Sequence, residues 1–299
     1  MSEKRGFSSG IGKWVGTAEV YSGEGRFLGN GADSRTVQDL GNGRVRIDVS
    51  FIGPFKAAGH YFIQDHGDHR LYQGPINVGY AETLGEGLVD ANAYWASVGL
   101  TQRFFLMVLP DKQTQLSLAL MSRGEQLIYT VVGQNDRVPD EGASVPSSLV
   151  NGTSYDFQHD PTAGRGELFL HRTGRWSGEL AVLDGAKSLQ GTASYSETIQ
   201  NGDTLKVIVE GGGYSLEKRA YSLQTNGYQA WTAPGEVVGS YNLCGGRALS
   251  GTFHYLDDQL RLWRREVVAH DGTKKAVVHI WFRGGERIGI QYGLLNFEE

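Results

Sequence analysis

The 299-residue chain contains one cysteine, Cys244, and only seven prolines. A single cysteine cannot form an internal disulfide, and it excludes zinc sites built from several cysteines. No stretch approaches the roughly 18 consecutive apolar residues of a membrane-spanning helix. The first ten residues also lack the apolar core of a signal peptide. We therefore expect a cytoplasmic protein that does not insert into a membrane.

An excess of positive charge is also missing. Lys and Arg total 28 against 33 Asp and Glu, a formal net charge of −5. Without a basic stripe, nucleic acid is not expected as a partner. Glycine, in contrast, is abundant at 43 residues. It follows no three-residue period and comes with little proline, so it excludes collagen and predicts many tight turns.

The chain contains an internal repeat. Gly12-Lys13-Trp14 recurs as Gly174-Arg175-Trp176 at an offset of 162 residues. Further matches follow at an offset of 160: Tyr61 with Tyr221, Gly79 with Gly239, and Arg123 with Arg283. A collinear repeat of this length indicates a duplicated unit. We predict one domain over 1–136, a linker over 137–173 with a short element near 166–170, and a second domain over 174–299.

Apolar residues in both halves alternate with polar ones. Val45, Ile47, Val49 and Phe51 show this period of two after Asn42-Gly43, and 205–209 repeat it after Asn201-Gly202. Alternation predicts strands buried on one face, and Asn-Gly predicts hairpin turns. Eight to ten short strands per half indicate an all-β fold of antiparallel meanders closed into barrels. A single large β-sandwich is the alternative.

The two Gly-x-Trp motifs resemble the first-strand motif of the lipocalin and wider calycin group. This resemblance implies two tandem up-and-down barrels of about 125 residues, each closed at one end by its tryptophan. It also implies that a late-strand arginine packs on that ring, for which Arg123 and Arg283 are the candidates. Without a disulfide and with two copies, the chain is more similar to intracellular tandem lipocalin-like proteins of the carotenoid-hydratase-like and Diels–Alderase-like cyclase families.

The duplication separates residues that serve the fold from candidates for function. Positions that match between the halves serve the fold, whereas the segment 59–72, which contains three histidines, differs from its counterpart. His66 and His69 read as solvated residues of a hairpin tip, so no metal site is expected. His60 precedes that tip on a strand, and we expect it on the inner face as a general acid or base. A histidine packed in the core is the alternative.

Aromatic and polar residues near the middle of each half complete the candidate site. We assign catalytic roles to His60, Tyr94 and Arg103. The candidate substrate-binding residues are Tyr61, Tyr72, Asn77, Tyr80, Trp95, His254 and Trp281. Aromatic walls with a few polar groups are typical of pockets for hydrophobic small molecules. Ordinary core packing is the alternative, and the pattern does not decide which strand faces point inward.

The predicted function is a cofactor-independent enzyme, a cyclase, isomerase, hydratase or lyase. It would use acid/base catalysis on a hydrophobic or aromatic small molecule held in a barrel. The alternatives are a non-catalytic carrier of a hydrophobic ligand and a structural module with filled barrels. The sequence leaves open which barrel holds the site and whether the chain forms a homodimer.

Overall fold

A computed structural model describes residues 8–138, 170–214, 218–226 and 228–299. The described chain forms two closed antiparallel barrels of ten strands each. We call them barrel 1 and barrel 2 in chain order. The predicted all-β fold of two tandem antiparallel barrels is confirmed, and the single β-sandwich is wrong. No helix in the described ranges is long and apolar enough to cross a membrane.

Barrel 1 begins with a short 3-10 turn at Ser8–Gly10. Its strands are β1 (Gly12–Ser22), β2 (Phe27–Asp39), β3 (Arg44–Ile52), β4 (Lys56–Asp65), β5 (His69–Gln73), β6 (Asn77–Gly85), β7 (Leu88–Trp95), β8 (Leu100–Val108), β9 (Thr114–Arg123) and β10 (Gln126–Val138). Each strand pairs with its neighbours in sequence, and β1 pairs with β10 to close the sheet.

Barrel 2 repeats this topology. Its strands are β11 (Gly174–Asp184), β12 (Leu189–Asn201), β13 (Leu205–Gly211), β14 (Arg219–Thr225), β15 (Gln229–Thr232), β16 (Val237–Cys244), β17 (Ala248–Tyr255), β18 (Leu260–Val268), β19 (Lys274–Arg283) and β20 (Glu286–Glu298). Here β11 pairs with β20. Closure leaves no unpaired strand edge in either sheet.

Equivalent positions in the two barrels can be assigned from strand register. Asp39 pairs with Val45 across the β2–β3 hairpin, and Asn201 pairs with Leu205 across the β12–β13 hairpin. The second hairpin is therefore two residues shorter. This deletion changes the offset between the halves from 162 before the hairpin to 160 after it, and all positions compared below use these two offsets.

The predicted linker remains a prediction. Strand β10 runs to Val138, two residues beyond the expected end of the first domain, and β11 begins at Gly174 as expected. Residues 139–169 lie outside the described ranges, as does nearly all of the element predicted near 166–170.

Trp14 closes one end of barrel 1. Its ring is fully buried, and its Nε1 donates a hydrogen bond to the carbonyl of Gly10 at 2.8 Å. The guanidinium carbon of Arg137 lies 4.4 Å from the ring centroid, within cation–π range. Arg137 also donates hydrogen bonds to the carbonyls of Ser9, at 2.7 Å, and Ile11. The 3-10 turn is thereby held across this end of the barrel.

The expected cation–π partners are wrong. Arg123 and Arg283 are exposed, because β9 and β19 run away from the tryptophans and end at the opposite ends of their barrels. In barrel 2 the Nζ of Lys275 lies 5.0 Å from the centroid of Trp176. Arg172, which precedes β11, lies 5.5 Å from it.

Candidate functional site: a cavity inside barrel 1

Barrel 1 encloses a cavity of about 140 Å³, counted as space open to the centres of water-sized molecules. Much of the wall is aliphatic because inward positions on several strands carry branched side chains. These include Val37, Ile47, Val49, Ile63, Leu106 and Val108. Such a surface favours an apolar occupant.

Aromatic side chains surround the end of the cavity opposite Trp14. Phe55, in the β3–β4 turn, stacks on Phe51 at 4.6 Å and on Tyr129 at 5.1 Å between centroids. Trp95, at the end of β7, contacts Tyr61 edge-on at 6.0 Å. Phe55 and Trp95 are only partly buried. This aromatic end of the cavity is suited to contact a flat ring system.

A buried ion pair projects from β2 into the cavity. The Nη2 of Arg35 lies 2.5 Å from the Oδ2 of Asp33. The guanidinium also lies over the Phe104 ring, 5.4 Å from its centroid. Burial alone would lower the pKa of Arg35, but the Asp33 carboxylate outweighs it and holds that pKa above its usual value. The guanidinium therefore stays charged, and its contact with Asp33 places a fixed dipole in the cavity.

Two tyrosines on neighbouring strands also face the cavity. Tyr61 on β4 and Tyr72 on β5 line the cavity with ring centroids 5.8 Å apart. Burial raises the pKa of Tyr61 to about 12. Burial also raises the pKa of Tyr72. At neutral pH both hydroxyls keep their protons and can donate hydrogen bonds to an oxygen of a bound molecule.

Two amide side chains lie at different depths of the cavity. Asn77, at the start of β6, is 2% exposed, and Gln115, at the start of β9, is 4% exposed. The Oδ1 of Asn77 and the Oε1 of Gln115 accept no hydrogen bond from any described residue. Leaving a buried acceptor unpaired costs about 1–3 kcal/mol, so a ligand can satisfy these two amide oxygens, as it can the unpartnered Oγ of Ser9 in the same wall.

The interior of barrel 2 is filled by an ionic network. Arg264 on β18 contacts both oxygens of Glu197 at 3.0 Å and the Oε1 of Glu266 at 2.5 Å. The Nζ of Lys275 lies 2.9 Å from Glu197 and 2.7 Å from Glu266. The Nε2 of His279 lies 3.0 Å from Glu266. Two cations and two carboxylates thus balance in charge, and all of these groups are buried.

The pKa directions agree with this pairing. Burial raises the pKa of Glu197 and of Glu266, but Arg264 and Lys275 outweigh it and bring both below their usual values. Burial dominates for His279 and lowers its pKa, so this ring is neutral at pH 7. Mutual pairing of buried charges of this kind is typical of a structural core.

Equivalent positions explain why one barrel is open and the other is filled. Four cavity-lining positions of barrel 1 carry smaller side chains than barrel 2, and each large counterpart is buried. The pairs are Gly87 and Arg247, Ala119 and His279, Met121 and Trp281, and Val131 and Gln291. Trp281 and Gln291 also hydrogen-bond to each other at 2.6 Å. The larger side chains occupy the space that remains empty in barrel 1.

Four of the predicted binding residues meet at the cavity. Tyr61, Tyr72, Asn77 and Trp95 all line it. Trp281 faces inward as well, but it packs in the filled interior of barrel 2.

The other predicted residues lie elsewhere. His60 lies beside Phe62 and pairs across strands with Asp48, on the opposite face of β4 from Tyr61. The inner-face position expected for His60 is therefore wrong. Tyr80 and Tyr94 are exposed at 54% and 44%.

Arg103 and His254 are also absent from the cavity. Arg103 lies between Gln102 and Phe104, both of which line it, and alternation turns Arg103 to the other side. His254 is exposed on barrel 2. Because Arg103, His254, His60 and Tyr94 lie outside the cavity, their positions do not support the roles predicted for them. The reason is shared: alternation defines two faces of a strand but does not say which is inner.

Sequence reasoning missed the ion pair and Gln115. Asp33 and Arg35 lie in a glycine- and polar-rich strand without apolar alternation, so no local pattern predicts that they face inward. The duplication contained the signal. Asp33 corresponds to Tyr195 and Arg35 to Glu197, both of which differ in chemistry, and Gln115 corresponds to Lys275.

One comparison with a solved structure supports the fold. A protein of unknown function from the DUF3598 family of Nostoc punctiforme superposes over the whole of both chains, with a TM-score of 0.60 and 12% identity. The S-type phycobiliprotein lyase CPES from Guillardia theta matches 45% of this chain and 92% of its own, with a TM-score of 0.35 and 8% identity. No family model and no curated protein sequence matches the chain.

Proposed function

We propose that barrel 1 binds a hydrophobic, largely aromatic small molecule and that barrel 2 is a structural partner with a filled interior. The observation that carries this proposal is the contrast between the halves. Both close into the same ten-stranded barrel, yet four buried side chains of barrel 2 are replaced by smaller ones at the lining positions Gly87, Ala119, Met121 and Val131 of barrel 1. Unfilled apolar space costs stability, so a cavity retained in one copy only favours a binding role.

The walls supply both affinity and orientation. The aliphatic middle and the aromatic end provide apolar contact area, which drives association. Tyr61, Tyr72 and Arg35 provide hydrogen-bond donors at one side of the cavity. A few polar groups in an apolar pocket fix the orientation of a ligand more than they add affinity.

Catalysis on the bound molecule is the second candidate, and the arrangement of Asp33, Arg35 and Tyr61 favours it. A neutral tyrosine hydroxyl can donate a hydrogen bond to negative charge that develops on a substrate oxygen, and Arg35 positions the Asp33 carboxylate. The Asp33 carboxylate can accept a proton. This chemistry corresponds to a cofactor-independent cyclase, isomerase, hydratase or lyase. Without turnover, the same cavity serves a carrier.

A neutral fluorescent dye, N-phenyl-1-naphthylamine, and unsubstituted naphthalene test the binding proposal. Met121→Trp places the barrel 2 residue in the cavity and is expected to weaken binding of both compounds at least tenfold. Trp281→Met is the matched control, because it enlarges the interior of barrel 2 and leaves barrel 1 intact. If neither compound binds the wild-type protein, or if Met121→Trp binds them as well as wild type, the proposal is wrong.

A cyclic ketone, 2-tetralone, separates enzyme from carrier. If the cavity catalyses proton transfer, the protein will accelerate deuterium exchange at the carbons beside the carbonyl, measured by NMR in D₂O. Tyr61→Phe should abolish the acceleration while the ketone still binds. If 2-tetralone binds but shows no Tyr61-dependent deuterium exchange, proton-transfer catalysis is rejected and the carrier function remains.

A further inference from the structure

The polar groups of the barrel 1 cavity differ in whether they already have partners. Arg35 is paired with Asp33 at 2.5 Å, and Arg70, which also lines the cavity, is paired with Asp65 at 3.2 Å. Neither cation offers an uncommitted charge to an anionic ligand. Asp33 likewise has its counter-ion, so a cationic ligand finds no uncommitted carboxylate there.

An ionic ligand would therefore lose its hydration without gaining a new counter-ion. Burying a charge under those conditions is strongly unfavourable, and disrupting an existing buried pair is costly as well. The charge balance of the cavity selects against both signs. A neutral molecule avoids this penalty.

The acceptors of the cavity show the opposite situation. The Oδ1 of Asn77 and the Oε1 of Gln115 are buried, line the cavity and accept no hydrogen bond from any described residue. A ligand with an O–H or N–H group can satisfy them. The equivalent of Asn77 in barrel 2 is the apolar Val237. The equivalent of Gln115 is Lys275, which is paired with two carboxylates. The filled barrel thus lacks both unpaired acceptors.

We propose that the cavity of barrel 1 selects a neutral aromatic molecule that carries a hydroxyl or N–H donor, of the phenol or indole type. This inference rests on the proposed binding function and adds a ligand class to it. The aromatic end of the cavity contacts the ring, and Asn77 or Gln115 accepts the hydrogen bond of the donor group. A carboxylate of the same shape is rejected, because both cations in the wall are already paired.

Three naphthalene derivatives test the ligand class at pH 7: 2-naphthol, 2-methoxynaphthalene and 2-naphthoate. The hydroxyl compound should bind about tenfold more tightly than the methyl ether, which cannot donate. It should also bind more tightly than the carboxylate. In the double variant N77V/Q115L, naphthol and its ether should bind with equal affinity. Asn92→Val is the matched control, because Asn92 is an amide of β7 that does not line the cavity, and it should retain the wild-type preference.

The outcomes separate this inference from the proposed function. Equal binding of all three compounds, or tighter binding of the carboxylate, would overturn the ligand class and leave the binding function standing. A preference for naphthol that persists in N77V/Q115L would also overturn it. Absence of binding by all three compounds and by naphthalene would reject the binding function itself. Thermal unfolding of each variant shows whether it is folded, and the single variants replace the double one if it is not.

Discussion

Arg264 and Lys275 share the same two buried carboxylates, Glu197 and Glu266, inside barrel 2. In barrel 1 their positions hold Phe104 and Gln115, and the position of Glu197 holds Arg35. The duplicated fold thus supports two interiors of different chemistry on one backbone pattern. A charge-balanced ionic network fills one of them, and the other keeps an apolar cavity whose wall includes the Asp33–Arg35 ion pair of β2.

Removing one cation from this network should be strongly destabilising. Lys275→Met leaves two carboxylates with one remaining cation in a dry interior, and breaking a buried pair in this way costs about 3–5 kcal/mol. The free energy of unfolding from urea denaturation measures the loss. Lys274→Met is the matched control, since Lys274 is the exposed neighbour on the same strand, and it should change stability by less than about 0.5 kcal/mol. Similar losses in the two variants would contradict the role of the network.

Much of the fold could be predicted from the sequence because duplication and alternation are directly readable. The repeated Gly-x-Trp motif, the Asn-Gly turns and strands such as Val45–Phe51 together predicted two antiparallel barrels. The closing contact was predicted only in part. Trp14 was recognised, but its partner is Arg137, which lies beyond the predicted domain boundary at residue 136.

The site was less predictable because it depends on which face of each strand points into the barrel. In His60-Tyr61-Phe62, three consecutive rings give no apolar alternation, so the sequence does not show that Tyr61 is the inward residue. Arg35 follows from no local pattern either, since burial of an arginine depends on Asp33 and on the opposing strands that enclose both. Comparison of equivalent positions between the halves is the signal that identifies Arg35 and Gln115.

The closed end of barrel 1 should depend on the shape of the Arg137 side chain as well as on its charge. Arg137→Lys keeps the charge but cannot hold the carbonyls of Ser9 and Ile11 while also stacking on Trp14. We expect a loss of about 1–3 kcal/mol in unfolding free energy. Amide hydrogen exchange should also be faster at residues 8–12. Arg123→Lys, at an exposed position, should leave both measurements unchanged. Unaltered exchange in Arg137→Lys would show that the 3-10 turn is held by other contacts.

Filling the interior of barrel 2 should also contribute measurable stability. Trp281→Met removes most of a fully buried ring and leaves the Oε1 of Gln291 without its hydrogen bond from the indole. The cavity and the lost bond together should cost about 2–4 kcal/mol. Thermal unfolding monitored by calorimetry gives the difference. Trp231→Met is the control, because Trp231 is 38% exposed. Equal destabilisation by the two substitutions would mean that Trp281 is not a packing residue of the core.

Acid sensitivity of barrel 2 should originate partly at His171. Burial lowers its pKa from 6.5 to about 4, and its Nε2 lies 2.6 Å from the hydroxyl of Tyr241. Between these two values the unfolded chain binds a proton that the folded protein does not, so stability rises with pH in this window and falls as the pH drops from 6.5 to 4. The shift corresponds to about 3 kcal/mol at the acid end of the window.

His171→Gln should reduce the slope of unfolding free energy against pH in this window. Some pH dependence should remain, because burial also lowers the pKa of His279. His254→Gln, at an exposed position, should keep the wild-type slope. An unchanged slope in His171→Gln would show that His171 accepts a proton equally well in the folded and unfolded states.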